Sequence, residues 1–332
     1  MKRLLLIDGN AILHRAYHAY PPSFTDKEGN PTNAIYGFYA MLLKLLQDVH
    51  PDYLAIAFDR GAPTFRMTMY AGYHANRPRM SDDLSPQVPR LQASLEEIGI
   101  PLYGIEGYEA DDLLGTLSRL AIRPADKRKK NKKGINSSQK AVDEVIIITG
   151  DRDLLQLVNP YVKILMPLIG ITKTALFDEA RVEEKYGITP SQVIDYKALV
   201  GDASDNYPGV TGIGPKGAAA LLQKYGTFEN IYQHVSELPE GLGMKLAVDA
   251  EQAALAKKLA TIQCDAPVHL RLVDCEVEKF STDKFAKIFD ELGFESLKKR
   301  MLGEVKGEEL KTKSKKNPTP KEKKDSEQLG LL

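Results

Sequence analysis

Cysteine is almost missing from this 332-residue chain: Cys264 and Cys275 stand alone, far from any Cys/His cluster. They provide neither a disulfide framework nor a zinc site, and a reducing cytosol is the simplest setting. No apolar stretch approaches the roughly 20 residues needed to cross a bilayer, so no membrane partner is expected. The apolar run at residues 4–7 is too short for a signal peptide and is cut off by Asp8, which makes it a buried first strand. Net charge is missing as well, with 45 Lys and Arg against 45 Asp and Glu. That balance argues at first against a polyanionic partner, but the distribution matters more than the sum. Basic residues crowd 60–90, 123–133 and 311–324, while acidic residues crowd the ends of the expected strands. A protein that holds phosphates with cations and metal with carboxylates needs both.

What is present reads as an α/β layer followed by a helical half. Residues 4–7, 53–58 and 145–148 are short continuous apolar runs, as in parallel strands covered on both faces. Helical patterns lie between them at 35–47 and 91–98, and Leu113, Leu117 and Leu120 mark a third at i, i+4, i+7. This alternation predicts a mostly parallel sheet flanked by helices over residues 1–188. A helical subdomain is expected over 189–302, with turn signals at 201–217 and 239–243. The Lys-rich segment 303–332 has no periodicity and is expected to be a disordered tail. A basic insertion at 123–140 interrupts the layer, either as a solvated loop or as an extra nucleic-acid contact.

Asp8 follows the first apolar run, Asp59 the second, and Asp151 and Asp153 the third. Residues just past the strands of a parallel sheet gather at one edge, where ligands bind. One Asp there is an ordinary turn or cap residue; three successive strands ending in Asp are harder to assign to capping alone. Glu109, Asp111 and Asp112 open a helix, where the helix dipole favours acids in any case. Asp202 and Asp205 sit in a turn, where neither is unusual by itself. Nine acids converging on one site could not all stay ionised without cations. Oxygen ligands without His or Cys select Mg²⁺, with Mn²⁺ as a substitute, over Zn²⁺. Two such ions about 4 Å apart are the usual apparatus for in-line attack of water on a phosphodiester.

At this point the motifs acquire a family. Leu6-Ile7-Asp8-Gly9-Asn10, Arg15-Ala16-Tyr17-His18-Ala19, Phe58-Asp59-Arg60-Gly61, Glu109-Ala110-Asp111-Asp112, Thr149-Gly150-Asp151-Arg152-Asp153, Gly201-Asp202-Ala203-Ser204-Asp205-Asn206 and Gly209-Val210-Thr211-Gly212-Ile213-Gly214 occur in that order. Together they resemble the 5′-nuclease domain of bacterial DNA polymerase I and, more distantly, flap endonucleases. The resemblance implies a PIN-like core and a helix–hairpin–helix DNA-binding subdomain. It assigns Asp8, Asp59, Glu109 and Asp111 to one metal and Asp151, Asp153 and Asp202 to a second, with Asp112 and Asp205 close behind. The glycines of 209–214 let a backbone approach closely, and the following helix start can accept a phosphate. The family places its duplex grip there, through Gly209, Val210, Gly212, Ile213, Gly214 and Lys216, with K⁺ as a further bound ion.

The stretch 60–90 mixes Arg66, Arg77 and other cations with Tyr73 and His74, a pattern suited to single-stranded nucleic acid. In the family it forms an arch over the active site, and a plain surface helix is the alternative. One departure stands out: the family has Lys where this chain has His74, three residues before Arg77. Histidine carries full charge only in acid, so a reduced rate falling more steeply below neutrality is expected, with His74 and Arg77 in catalytic positions. Arg15 and Tyr17 match family residues near the metal site and are assigned to substrate binding, with core or surface packing as the alternative for Tyr17.

The expected activity is 5′→3′ exonucleolytic and flap-endonucleolytic hydrolysis of DNA with 5′ flaps, nicks or RNA primers, during primer removal and repair. The resemblance implies a stand-alone monomer in a bacterial cytoplasm, near the nucleoid. Gln328, Leu329, Leu331 and Leu332 at the end resemble the peptide by which bacterial replication proteins dock on the sliding clamp. A specialised paralogue with weak exonuclease action, a non-catalytic branched-DNA-binding protein and a haloacid-dehalogenase-like phosphatase are the competing readings.

Overall fold

The computed structural model describes residues 1–61, 63–122, 142–169 and 173–303; the basic insertion at 123–140 and the tail from 304 lie outside these. The chain runs through β1 (Arg3–Asp8), α1 (Gly9–Ala19), α2 (Asn33–Val49), β2 (Tyr53–Ala57), α3 (Phe65–Met69), α4 (Gln87–Ile98) and β3 (Leu102–Tyr103). It continues with α5 (Ala110–Ile122), β4 (Glu144–Ile148), β5 (Val162–Ile169), β6 (Lys173–Phe177), α6 (Glu179–Tyr186) and α7 (Val193–Val200). Two short strands follow, β7 (Gly201–Asp202) and β8 (Tyr207–Pro208). The helices α8 (Pro215–Tyr225), α9 (Phe228–Gln233), α10 (Glu240–Val248), α11 (Ala250–Ala260), α12 (Thr282–Leu292) and α13 (Glu295–Met301) complete it.

Six strands form one sheet in the order β3-β2-β1-β4-β5-β6, parallel except for the antiparallel edge strand β6. The continuous apolar runs are explained by burial on both faces. Leu4 and Leu6 of β1 join one core with Val145 and Ile147 of β4 and Leu113, Leu114 and Leu117 of α5. Leu5 and Ile7 join the other, with Ile146, Ile148 and the apolar faces of α1, α2 and α4. The chain winds outward from β1 to β3, then returns to place β4 on the other side of β1. Strand order therefore reverses beside β1, and at such a switch point the loops diverge and leave a crevice at the carboxyl ends.

Two features depart from the sequence reading. The β5–β6 hairpin adds two strands to the three apolar runs. The last two helices, expected in the helical half, pack instead against the sheet layer: Phe289 meets Tyr39 and Phe294 meets Tyr36, with Tyr36 and Ser296 hydroxyls 2.8 Å apart. Among its described residues, the stretch expected to form an arch holds the five-residue α3 and a series of turns before α4. No helix among the described residues is long and apolar enough to cross a membrane.

Candidate active site

Asp8 ends β1 and caps α1, its Oδ1 accepting from Ala11 N at 3.0 Å and its Oδ2 from the Thr149 hydroxyl at 2.7 Å. The same Thr149 oxygen accepts from Asp151 N at 2.9 Å, so the ends of β1 and β4 are tied together. Past β2, Asp59 accepts from Ala110 N, the first residue of α5, at 2.7 Å. That bond brings the acidic opening of α5, with Glu109 and Asp111, to the same edge. Strand-end spacing in sequence thus becomes one acidic crevice, because the parallel register brings all three strand ends to the same side.

The electrostatics show how close these groups are. Burial, then Asp59 and Asp151, push the Asp8 carboxyl up to about 7. Burial raises Asp111 well above the usual carboxylate range, with Asp151, Asp8, Asp59 and Glu109 adding to it. Asp151 is raised chiefly by burial, and Asp153 reaches about 7 through burial and then Asp151. Groups that resist ionisation in company are the ones a cation would relieve. The donor set is all oxygen, the chemistry of Mg²⁺ or Mn²⁺ rather than of a soft metal. Asp153, Asp202 and Asp205 each bring one oxygen within 4.8 Å of the others. On charge and on donor type, the residues fit divalent metal.

Lys197 of α7, which the sequence reading passed over, already supplies one cation. Its Nζ lies 2.5 Å from Asp153 Oδ1 and also pairs with Asp202. Burial alone would raise Asp202, but Lys197 and Ser204 outweigh it and hold that carboxyl below its ordinary value. Burial likewise opposes the Lys197 charge, and Asp153 and Asp202 more than restore it. Asp205 is held low in the same way: His74 Nε2 at 3.2 Å and Arg77 Nη2 at 2.7 Å outweigh its burial.

Several of the expected site residues are buried or engaged by protein partners. Asp112 is fully buried and is spent on protein partners: both of its oxygens meet Arg66, at 2.8 and 2.9 Å, and it accepts from Glu109 N and Gln263 N. In this structure its oxygens face Arg66 and backbone N–H groups rather than the other acids. Arg66, expected at the DNA, is 2% exposed and turned inward. Its guanidinium also bonds Glu109, Leu259 O and Thr261 O, which joins α3, α5 and the end of α11. Tyr73 is buried, stacked on His74 with ring centroids 3.9 Å apart, and donates its hydroxyl to Glu109. Val210 and Ile213 point into the core, leaving only their backbone available to a ligand. By contrast Gly212, Gly214 and Lys216 are exposed. Gly209 packs its backbone onto Gly201, where a Cβ would collide, and so shapes the hairpin without facing outward. Arg15 and Tyr17 lie half-buried on α1, with Tyr17 edge-on to His18 at 5.1 Å. Gln328 to Leu332 lie outside the described residues.

Comparison with known proteins gives the family. Residues 3–187 match the family model of the 5′-3′ exonuclease N-terminal resolvase-like domain, and 188–283 match that of the 5′-3′ exonuclease C-terminal SAM fold. DNA polymerase I of Caldicellulosiruptor bescii is 41% identical over 306 residues, covering 91% of this chain and 34% of the relative. That of Bacillus caldotenax is 42% identical over 301 residues, covering 90% and 32%. The chain thus spans about a third of the length of these relatives. The T5 5′-exonuclease with bound zinc shares the fold at TM-score 0.61 and 20% identity, over 91% of this chain and 99% of that one. The catalytic core of Rad2 in complex with DNA substrate does so at TM-score 0.53 and 18% identity, over 92% of each. Two adjoining family models span residues 3–283 between them, and the chain belongs to the 5′-3′ exonuclease family.

Proposed function

We propose that this chain is a divalent-metal-dependent 5′ nuclease that recognises DNA by its branched or nicked shape, trims 5′ ends and cuts 5′ flaps. The observation that carries the reading is the acidic crevice at the switch point of the sheet, too crowded with buried carboxylates for all of them to stay ionised without cations. Asp8, Asp59, Glu109 and Asp111 would hold one ion, and Asp151, Asp153, Asp202 and Asp205 a second. Bound there, Mg²⁺ or Mn²⁺ supplies the positive charge that neutralises a phosphate and activates water. The protein's own part is to fix the carboxylates through Thr149, Ala11 and Ala110, and to bring phosphate in. Arg77, half exposed on the rim beside Asp205, can turn toward a phosphate. Lys216 and the N–H groups at the start of α8 can take the duplex backbone, with K⁺ at the hairpin. Phosphate contacts of this kind position without reading sequence. The Rad2 neighbour was solved on DNA and the T5 neighbour with metal, which supports the same reading.

The decisive experiment is cleavage of a 5′-labelled flap duplex with Mg²⁺ by wild type and by Asp111→Asn, which removes one ligand charge at nearly constant shape. Junction cutting by wild type, reduced at least about a hundredfold in the variant, supports the proposal. Flap binding without cutting in Mg²⁺ or Mn²⁺ would make the protein a DNA-binding module instead. Clamp docking through Gln328–Leu332 is a separate proposal. A chain lacking those five residues should bind DNA normally and lose clamp affinity; intact clamp binding removes the idea. A monomer acting on nucleoid DNA in the cytoplasm suits this role.

A further inference from the structure

Glu109 has both carboxylate oxygens engaged before any metal arrives. Oε1 accepts from the Thr64 hydroxyl at 2.9 Å, and Oε2 from Arg66 Nη1 at 3.0 Å and the Tyr73 hydroxyl at 3.1 Å. All three donors come from one stretch, residues 64–73, which leads from β2 toward the exposed turns before α4. All three are buried, at 7%, 2% and 6% exposure. Arg66 is fixed in turn by Asp112 and by the carbonyls that close α11. A ligand held in one orientation forgoes the cost of ordering when metal binds, and groups behind the ligands tune metal affinity.

We propose that Thr64, Arg66 and Tyr73 are positioning residues that hold the Glu109 carboxylate ready for one divalent ion, so that this ion's affinity is set by the stretch 64–73. The proposal rests on reading Glu109 as a metal ligand. None of the three need touch the metal or the phosphate. The stretch continues into His74 and Arg77, which hold Asp205 in the other acidic group, so one segment reaches both halves of the crevice.

Thr64→Val and Tyr73→Phe each remove one hydroxyl at almost constant shape, Thr64→Ser keeps it, and Arg66→Lys keeps charge but loses the fork. Mn²⁺ binding to the full chain, without DNA, is read from the electron paramagnetic resonance signal of the free ion. Thr64→Val and Tyr73→Phe should weaken one ion by about three- to tenfold and leave the other unchanged, with Thr64→Ser near wild type. Arg66→Lys should weaken the same ion further. A purely structural role would lower thermal stability without this selectivity and without rescue by serine. Unchanged Mn²⁺ affinity in both Thr64→Val and Tyr73→Phe overturns the proposal. Glu109→Gln separates the two levels. If it loses an ion while the hydroxyl variants bind normally, only the positioning role falls. If it binds both ions as wild type does, Glu109 is not a ligand and the assignment beneath the proposal falls too.

Discussion

Lys197 puts an ammonium between Asp153 and Asp202, so the crevice carries a cation of its own. A buried ion pair is a modest source of stability, but removing one partner leaves the other charge stranded. Lys197→Met should therefore destabilise the metal-free protein by about 3 kcal/mol, less in saturating Mg²⁺. Equal melting-temperature losses with and without Mg²⁺ would show that the lysine and the metal do not share the carboxylates. His74 poses the opposite question, a histidine where the resemblance led to the expectation of a lysine. It sits in the left-handed region at φ 59°, stacked on Tyr73 and bonded to Asp205. His74→Lys places a permanent charge at this position. Single-turnover flap cleavage at pH 8 should then rise, by up to about tenfold for one charge-assisted contact; no rise counts against a catalytic role for this position.

At the scale of elements, the hairpin between β8 and α8 shows how local sequence shapes an exposed turn. Gly201 and Gly209 let two backbones touch, Gly212 takes φ 75°, and Gly214 leads into Pro215 at the first turn of α8. Val210 and Ile213 anchor the turn in the core, which leaves the exposed backbone and Lys216 facing solvent. If Lys216 contacts a phosphate, Lys216→Ala should weaken duplex binding alike for all sequences and lower the slope of log K against log salt by about 1. Binding titrations at three salt concentrations measure this, and an unchanged slope would place the duplex elsewhere. The hairpin was legible because Gly and Pro punctuate it. The β5–β6 pair was not: Lys173–Phe177 is an edge strand with an exposed Lys173 and a half-covered Leu176, and no long apolar run announces it. Lys197 was illegible for a related reason. One lysine in the mostly apolar helix α7 looks like a solvated residue until the fold brings Asp153 to it.

For the whole molecule, the strand-end acids could be read because a parallel sheet turns separation in sequence into proximity in space. Burial could not be read, and it separated Asp112 and Arg66, which neutralise each other inside, from the acids that face the crevice. Nor did the sequence reveal that α12 and α13 return to the sheet layer, since their amphipathic faces suit either core. The collective consequence is a stability that depends on pH and metal together. Asp8 and Asp153 rise to about 7 in the fold, and burial also raises Asp111 and Asp151. A carboxyl raised above its unfolded value binds more protons folded than unfolded between the two values. Its stabilising effect is therefore present at low pH and lost as pH rises from about 4 to about 7. Asp202 and Asp205, held low, act the other way, but only below the ordinary carboxylate range. From these groups, the metal-free protein should melt on the order of a few °C lower at pH 8 than at pH 6. Mg²⁺ needs ionised ligands, so it should raise the melting temperature more at pH 8 than at pH 6. Calorimetric scans at both values, with Mg²⁺ and with chelator, test this directly. A Mg²⁺ gain independent of pH would mean that the buried carboxyls are not where the metal binds.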